Sequence, residues 1–544
     1  MPEFEFSPPP RSDTWAAAQS SFMWTPQAQF NIADQICERW VRIDPNRIAL
    51  IEPQPDGTTR NWTYLDLSRA SNKLAHLLAA QGVVRGDRVA VLLPQCAETL
   101  ITHLAAYKLA AVLTPLFTLF GEQALSYRLS DSGAKALITN HANLPKLDGF
   151  RGDLASLGQV LSIDGAADGV VDFWAALEVS SDAAICASTT PDDPALLSYT
   201  SGTTGAPKGA LHGHRVLAAH VVGAGVAYDY PTEGRDVMWT PADWAWMGGS
   251  MNAMAPALYY GTPLLAHRAE KFDPEAALSL MASHEVSMAF LPPTALKIMR
   301  QVNDPAGFGT KLRAIGAAGE AMGAELLHWG QGAFGLTINE FYGQTECNMV
   351  VGNNARLFTP VPGAMGKAMP GHRIAVLDDE GQPAPKGQAG ELAIHRSDFG
   401  MFLRYWNKPE KTVEKFVGEW MLTGDVVVEE DDGIHRFASR TDDVITSSGY
   451  RIGPTEIEDC LSGHSAVAVC AVVGAPDPIR TEIVVAFVKL RATVDDPDQM
   501  SDQLKGYVRQ KLSPHLTPAR IVFVNEIPMT ATGKIKRRDL RALL

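Results

Sequence analysis

Cysteine is scarce and scattered. The 544-residue chain carries six, Cys37, Cys96, Cys186, Cys347, Cys460 and Cys470, and no two form a C-x-x-C pair. This pattern excludes a disulfide framework and a cysteine-built zinc site, and it fits a reducing compartment. Long apolar runs are also missing. None reaches the roughly 18 uncharged residues that a membrane-spanning helix needs. The first residues, Met1-Pro-Glu-Phe-Glu-Phe, lack the basic-then-apolar order of a secretory leader. The last four, Arg541-Ala-Leu-Leu544, are no peroxisomal address. Cations are in deficit, 47 against 61 acidic groups, for a net charge of −14. That balance argues against nucleic acid or an anionic membrane as a partner. The expectation is a cytoplasmic protein acting on small molecules.

What is present is an ordinary globular composition, 46% hydrophobic and 20% charged, which excludes extended disorder as the dominant state. At roughly 150 residues per domain the length suggests about three or four domains. Residues 63–82 read as an amphipathic helix, with Leu67, Ala70, Leu74, Leu77 and Leu78 on one face, Thr63 as cap and Gly82 as stop. Arg88-Val-Ala-Val-Leu-Leu93 is a continuous apolar run ended by Pro94, the look of a strand covered on both faces. A helix over 96–112 and strands near 135–139, 195–199, 237–240, 262–266, 286–291 and 312–316 follow. Alternating strands and helices imply mostly parallel sheets.

The pattern changes near residue 365. The runs 373–377, 390–395, 425–429 and 434–437 read as antiparallel strands of a barrel-like unit. Beyond about 443 the chain predicts a compact α+β piece: a helix opened by Pro454, strands near 466–473 and 483–490, a helix over 498–512 and a strand near 520–524. Ser439-Arg-Thr-Asp-Asp443 separates the two bodies.

The strongest local feature is Tyr199-Thr-Ser-Gly-Thr-Thr-Gly-Ala-Pro-Lys-Gly209, directly after the apolar Ala195-Leu-Leu197. Gly202, Gly205 and Gly209 permit tight turns, Thr200, Ser201, Thr203 and Thr204 supply hydroxyls, and Lys208 supplies a cation. A curved loop of hydroxyls and backbone N–H groups suits a polyphosphate. It is not a Walker A loop, because Gly209 follows the lysine and the glycine spacing differs.

This loop resembles the signature of the adenylate-forming superfamily, which holds acyl-CoA synthetases, peptide-synthetase adenylation domains and luciferases. The resemblance runs from about residue 30 to the end. It implies an α/β fold: a large N-terminal domain (1–440) of two mostly parallel sheets flanked by helices plus a distorted β-barrel (about 365–438), and a small mobile α+β C-terminal domain (441–544). Glu340-Phe-Tyr-Gly-Gln-Thr-Glu346 is similar to the second core motif. By that likeness Glu340 accepts from the adenine amino group, Tyr342 stacks on adenine, and Phe341 and Gln344 complete the nucleotide site. Thr345 donates to the α-phosphate, and Glu346 is the oxygen ligand of Mg²⁺. Gly319 and Glu320 line the adenine and acyl site. Asp425, in Trp420-Met-Leu-Thr-Gly-Asp425, resembles the carboxylate that binds both ribose hydroxyls. Arg440 contacts ribose and phosphate, and Asp442 sits at the hinge. In Ser447-Ser-Gly-Tyr-Arg-Ile-Gly453, Ser448 and Gly449 leave room for a pantetheine arm and Arg451 meets phosphate. Lys534 matches the catalytic lysine, and Lys208 shares the charge work. The following Lys536, Arg537 and Arg538 read as solvated surface or as contacts for a CoA phosphate.

The implied reaction activates a carboxylic acid with ATP to acyl-AMP and pyrophosphate, then passes the acyl group to coenzyme A. Delivery to a carrier protein is the alternative. Acetate-specific relatives carry Trp where this chain has Gly343, so a larger acid is expected: short-to-medium, branched, thioether or aryl. Trp244, Trp246, Met247 and Gly316 are the other pocket candidates. A homodimer is compatible with this reading. Cys347, beside Glu346, is a candidate sensor of modification.

Overall fold

The computed structural model describes the chain except for residues 1–10, 26, 201–206, 232–235, 268, 270, 321, 442, 448–449, 479, 513–515 and 531–533, and the side chains of 348, 446, 450 and 451. Two large sheets carry the N-terminal part. One has eight strands, in spatial order Arg404–Tyr405, Lys208–Gly213, Pro194–Thr200, Val112–Pro115, Arg88–Val91, Ala136–Thr139, Gln159–Ser162 and Val171–Asp172. The other has nine and contains Ile48–Pro53, Met238–Trp239, Met288–Phe290, Ala314–Ala317 and Asn339–Gln344. Their central strands pair in parallel, as the alternation of strands and helices predicts.

Helix Tyr64–Ala80 starts where the spacing places it. The Thr63 hydroxyl accepts from the Asp66 N–H while the Asp66 carboxylate accepts from the Thr63 N–H, a closed capping box. The expected helix over 96–112 is shorter, Ala97–Lys108, because Ala110 turns to φ 52 and the chain re-enters the sheet at Val112. Helix Val216–Ala227 is buried at every position, as a helix apolar at all positions but His220 requires. It packs with Tyr64–Ala80 and Ala97–Lys108 in one core shared by both sheets. Among the described residues no helix is long and apolar enough to cross a membrane.

The antiparallel unit is present as read: Ile374–Leu377, Ala389–His395, Trp420–Glu429 and His435–Arg440, with Phe416–Val417 at one edge. Its inner face does not close on itself. Val376, Leu392, Ile394, Met421 and Val427 pack against Ala210 and Tyr405 of the eight-stranded sheet and Val350 and Val351 of the nine-stranded one. Three sheets therefore meet at one apolar seam. The last part of the chain is a five-stranded sheet, Ile445–Ser447, Tyr450–Ile452, Val467–Asp477, Thr481–Leu490 and Arg520–Phe523, with a separate core on each face.

Candidate active site

The phosphate-type loop joins two strands of a hairpin. Pro194–Thr200 and Lys208–Gly213 pair antiparallel, Thr200 opposite Lys208, and the Thr200 hydroxyl donates to the Lys208 carbonyl at 3.3 Å. Gly209 is needed here, since an added Cβ would stand 2.8 Å from Leu197 and 3.2 Å from the Tyr199 ring. The loop residues Ser201, Gly202, Thr203, Thr204 and Gly205 lie outside the described residues, as do Asp442, Ser448, Gly449 and the side chain of Arg451.

The hairpin reaches the second motif directly. His212 Nε2 lies 2.7 Å from the Thr345 carbonyl. Burial holds the His212 imidazole down at about 4, so it stays neutral. The Phe402 N–H donates to the Glu346 carbonyl at 2.9 Å, fixing the Thr345–Glu346 turn from the other side. The buried Glu346 carboxylate accepts from the Tyr405 hydroxyl at 2.5 Å. The Lys208 ammonium lies over the same tyrosine ring, 4.6 Å from its centre. Burial lowers the Lys208 pKa and the Glu346 charge partly restores it. Tyr405 has no signal in the sequence pattern; it sits 59 residues from Glu346 and only the sheet brings it there.

On the opposite wall Asp425 is 4% exposed. It accepts from the Tyr342 hydroxyl, from Gln344 Nε2 at 2.7 Å and from Arg440 Nη1 at 2.9 Å. Gly424 adopts φ 78, and its missing Cβ leaves room for the Arg440 guanidinium, which would otherwise stand 3.1 Å away. Glu340, on the same strand as Tyr342 and Gln344, is buried and accepts the Met322 N–H at 3.3 Å. Burial pushes its carboxyl up to about 8, with the Asp459 charge adding to the effect.

Lys534 joins these groups from the segment between the last strand, Arg520–Phe523, and the final helix, Arg537–Arg541. Crowding by surrounding protein lowers its pKa although the side chain remains solvent-accessible; the charges of Glu320, Asp425 and Glu346 act against that and Arg440 acts with it. The C-terminal part reaches the same wall at a second point. A Cβ on Gly323 would stand 3.5 Å from the Asp459 carboxylate. Burial lifts that carboxyl to about 6. Glu320 accepts from the Thr294 hydroxyl at 2.6 Å.

The aromatic pocket candidates separate. Trp246 is half-buried and edges Gly319, whose φ of 100 demands glycine; a Cβ there would sit 3.6 Å from the indole. Gly316 is hemmed by Tyr228 and Phe341, 2.7 and 3.0 Å from where its Cβ would be. Trp244, in contrast, is 1% exposed inside the main core, and Met247 is buried in it too. Two sequence readings need correction. Arg537 is neither free surface nor available to a CoA phosphate. It grips Glu458 through two bonds of 2.7 and 2.8 Å and Asp443 at 3.3 Å. Cys347 is buried, and burial raises its thiol far from reactivity, so it is no sensor.

One carboxylate suits a divalent cation. Glu346 stands near Lys208, and among the described residues no group of three metal-binding side chains exists. A magnesium ion carried in on a triphosphate needs one protein carboxylate rather than a full cage, so the residues fit it.

The Lys208 hairpin, the Asp425 cluster and Lys534 are the groups that the motif likeness assigns to a nucleotide. Residues 37–406 match the family model described as AMP-binding enzyme, and residues 456–534 match its C-terminal domain. The chain belongs to that family and is an AMP-forming acid–CoA ligase, an acyl-CoA synthetase. It is 31% identical over 525 residues to the mitochondrial acyl-coenzyme A synthetase ACSM3 of Mus musculus, covering 94% of this chain and 90% of that one. The crystal structure of the anthranilate CoA ligase AuaEII with anthranoyl-AMP superposes with a TM-score of 0.86 at 28% identity, over 95% and 97% of the two chains. The Brucella canis acyl-CoA synthetase gives 0.75 at 34% identity, over 98% and 99%.

Proposed function

We propose that the enzyme works in two half-reactions on a short-to-medium, branched, thioether or aryl acid rather than on acetate. In the first, a carboxylate oxygen attacks the α-phosphorus of ATP. The bond to the β-phosphate oxygen breaks, leaving acyl-AMP and pyrophosphate. Negative charge grows on the phosphate oxygens, and cations fixed beforehand around them lower the barrier. Lys208 and Lys534 are the cations and Thr345 is a hydroxyl donor. Glu346 would hold Mg²⁺, which neutralises phosphate charge when bound. In the second, the sulfur of coenzyme A attacks the acyl carbon and AMP leaves. Asp425 takes the ribose hydroxyls, and Glu340 takes the adenine amino group.

The observation that carries this reading is the position of Lys534, in the segment that follows the last strand, Arg520–Phe523, yet near enough to Asp425, Glu346 and Glu320 for their charges to act on it. Such an arrangement serves acid activation, and rotation of the small domain would then present the pantetheine segment near Ser448 and Gly449. The acid class is supported by Gly343 in the motif. The anthranilate ligase among the structural neighbours, and a benzoate CoA ligase from Burkholderia xenovorans LB400 that superposes with a TM-score of 0.82 at 27% identity, favour the aryl arm.

The test is CoA-dependent AMP release over C2 to C10 linear, branched and aryl acids. Best turnover with acetate overturns the substrate class. ADP in place of AMP overturns the chemistry. Thioester formed on a carrier protein but not on coenzyme A moves the acceptor.

A further inference from the structure

Tyr405 touches two of the groups assigned to the triphosphate, and neither the motifs nor the family likeness gave it a task. It ends the short strand Arg404–Tyr405, which pairs with the hairpin strand at Leu211 and Ala210. That pairing locks its backbone to the strand bearing Lys208. The Tyr405 N–H donates to the Thr412 hydroxyl at 3.0 Å, and its ring packs edge-on to Phe402, centroids 4.9 Å apart. The side chain is 1% exposed at the seam where the three sheets meet. The ring has little freedom, so what it holds is held firmly.

It holds two things. Its hydroxyl donates to Oε1 of Glu346, and among the described residues it is the side chain that donates to that carboxylate. Burial and the neighbouring Glu346 charge keep the phenol protonated, so it acts as a donor throughout the working range of pH. Its ring face carries the Lys208 ammonium at 4.6 Å, inside the distance at which a cation is attracted to a π-face. Glu346 and Lys208 have opposite charges and long side chains. Left alone they would pair with each other and quench the two charges the phosphates need. A single aromatic residue gives each its own partner, its hydroxyl to Glu346 and its ring face to Lys208.

We propose that Tyr405 is a positioning residue: its hydroxyl orients the Glu346 carboxylate toward a phosphate-borne cation, and its ring keeps the Lys208 ammonium apart from that carboxylate. The proposal deepens the functional reading above and rests on it. It separates two effects of one side chain. The hydroxyl serves cation-assisted binding, whereas the ring serves binding of the bare triphosphate.

The experiment is calorimetric titration of ATP without acid or CoA, once with excess Mg²⁺ and once with EDTA. Wild type should bind more tightly with Mg²⁺. Tyr405→Phe keeps the ring and removes a hydrogen bond to a charged acceptor, so the Mg²⁺ advantage should fall by about ten-fold while affinity in EDTA holds. Tyr405→Leu should weaken binding in both media. In a Glu346→Gln background Tyr405→Phe should cost little more, because the two act as a unit. An unchanged Mg²⁺ advantage in Tyr405→Phe overturns the proposal. So does equal loss in both media, from misfolding or from packing, and so does additivity with Glu346→Gln. A wild-type enzyme with no Mg²⁺ advantage, or one releasing ADP, would instead sink the functional reading itself.

Discussion

Replacing Glu340 by glutamine should make the protein more stable at alkaline pH, although it alters a residue of the nucleotide site. Glu340 is 7% exposed, and burial raises its carboxyl from 4.5 to about 8. Below pH 4.5 both folded and unfolded chains hold the proton. Between 4.5 and 8 the unfolded chain has released it while the folded chain retains it, so stability falls as pH rises. Above 8 both are ionised and the loss levels off. At 1.36 kcal/mol per unit, the stretch from pH 6 to pH 8 costs wild type about 2 kcal/mol, allowing for the flattening near the folded pKa. Glutamine is nearly isosteric and its carbonyl oxygen can still accept the Met322 N–H, held at 3.3 Å in the parent. It has no proton to release. The assay is urea unfolding of both proteins at pH 6 and pH 8, followed by tryptophan fluorescence. The variant-minus-parent difference cancels the other titrating groups. It should move by about 2 kcal/mol in favour of Glu340→Gln as pH rises. A flat difference, or one of the opposite sign, refutes the assignment of a buried neutral carboxyl at this position.

Lys534→Ala should lower acid-dependent pyrophosphate exchange by at least about a hundred-fold, the scale of one oxyanion-type contact, yet spare thioester formation from supplied acyl-AMP; equal loss in both half-reactions refutes the division of labour. Gly343→Trp should shrink the acyl site and shift the best substrate toward acetate in the AMP-release panel, and an unchanged preference separates Gly343 from the pocket. Arg537→Ala strips Glu458, whose side chain is 13% exposed, of its two guanidinium bonds while Asp443 keeps Arg541 at 2.9 Å, and should destabilise the C-terminal domain by about 3 kcal/mol by thermal unfolding. Arg537→Lys should rescue little, since one ammonium cannot reproduce two parallel bonds to Glu458.

Much of this architecture was legible because it is encoded locally. Thr63 and Asp66 lie within one helical turn, so the cap of Tyr64–Ala80 could be read from spacing. The group Glu340 to Glu346 lies on one strand and its turn, and the likeness of that short motif to a known family carried its roles together. Where reading failed, the partner was distant in the chain. Arg537 resembles a solvated cation in a basic run, but Glu458 and Asp443, 79 and 94 residues earlier, fold against it. Trp244 and Trp246 look equivalent two residues apart; the chain buries the first in the core and turns the second toward Gly319. Tyr405 gave no signal because its meaning arises only where strands from separate sheets meet.

Three carboxylates of this site show how one residue type is set to different tasks by its surroundings alone. Asp425 is met by Tyr342, Gln344 and Arg440, donors that engage both its oxygens. Those donors belong to the motif strand and to Arg440, which ends the last barrel strand three residues before the chain enters the C-terminal sheet's approach at Asp443. A nucleotide that engages Asp425 must therefore compete with, or recruit, a guanidinium next to the inter-domain connection. Glu346 has the opposite provision: one phenol donor and a nearby cation kept off it by the same ring. Among the described residues Glu340 is met by one N–H alone, and burial raises its carboxyl to about 8. Exchanging Asp425 for Asn should thus disturb Arg440 as well as ATP affinity, because the amide cannot accept from three donors as a carboxylate does. The salt dependence of nucleotide binding measures that coupling, and a variant with parental salt dependence would show that Arg440 and Asp425 act separately.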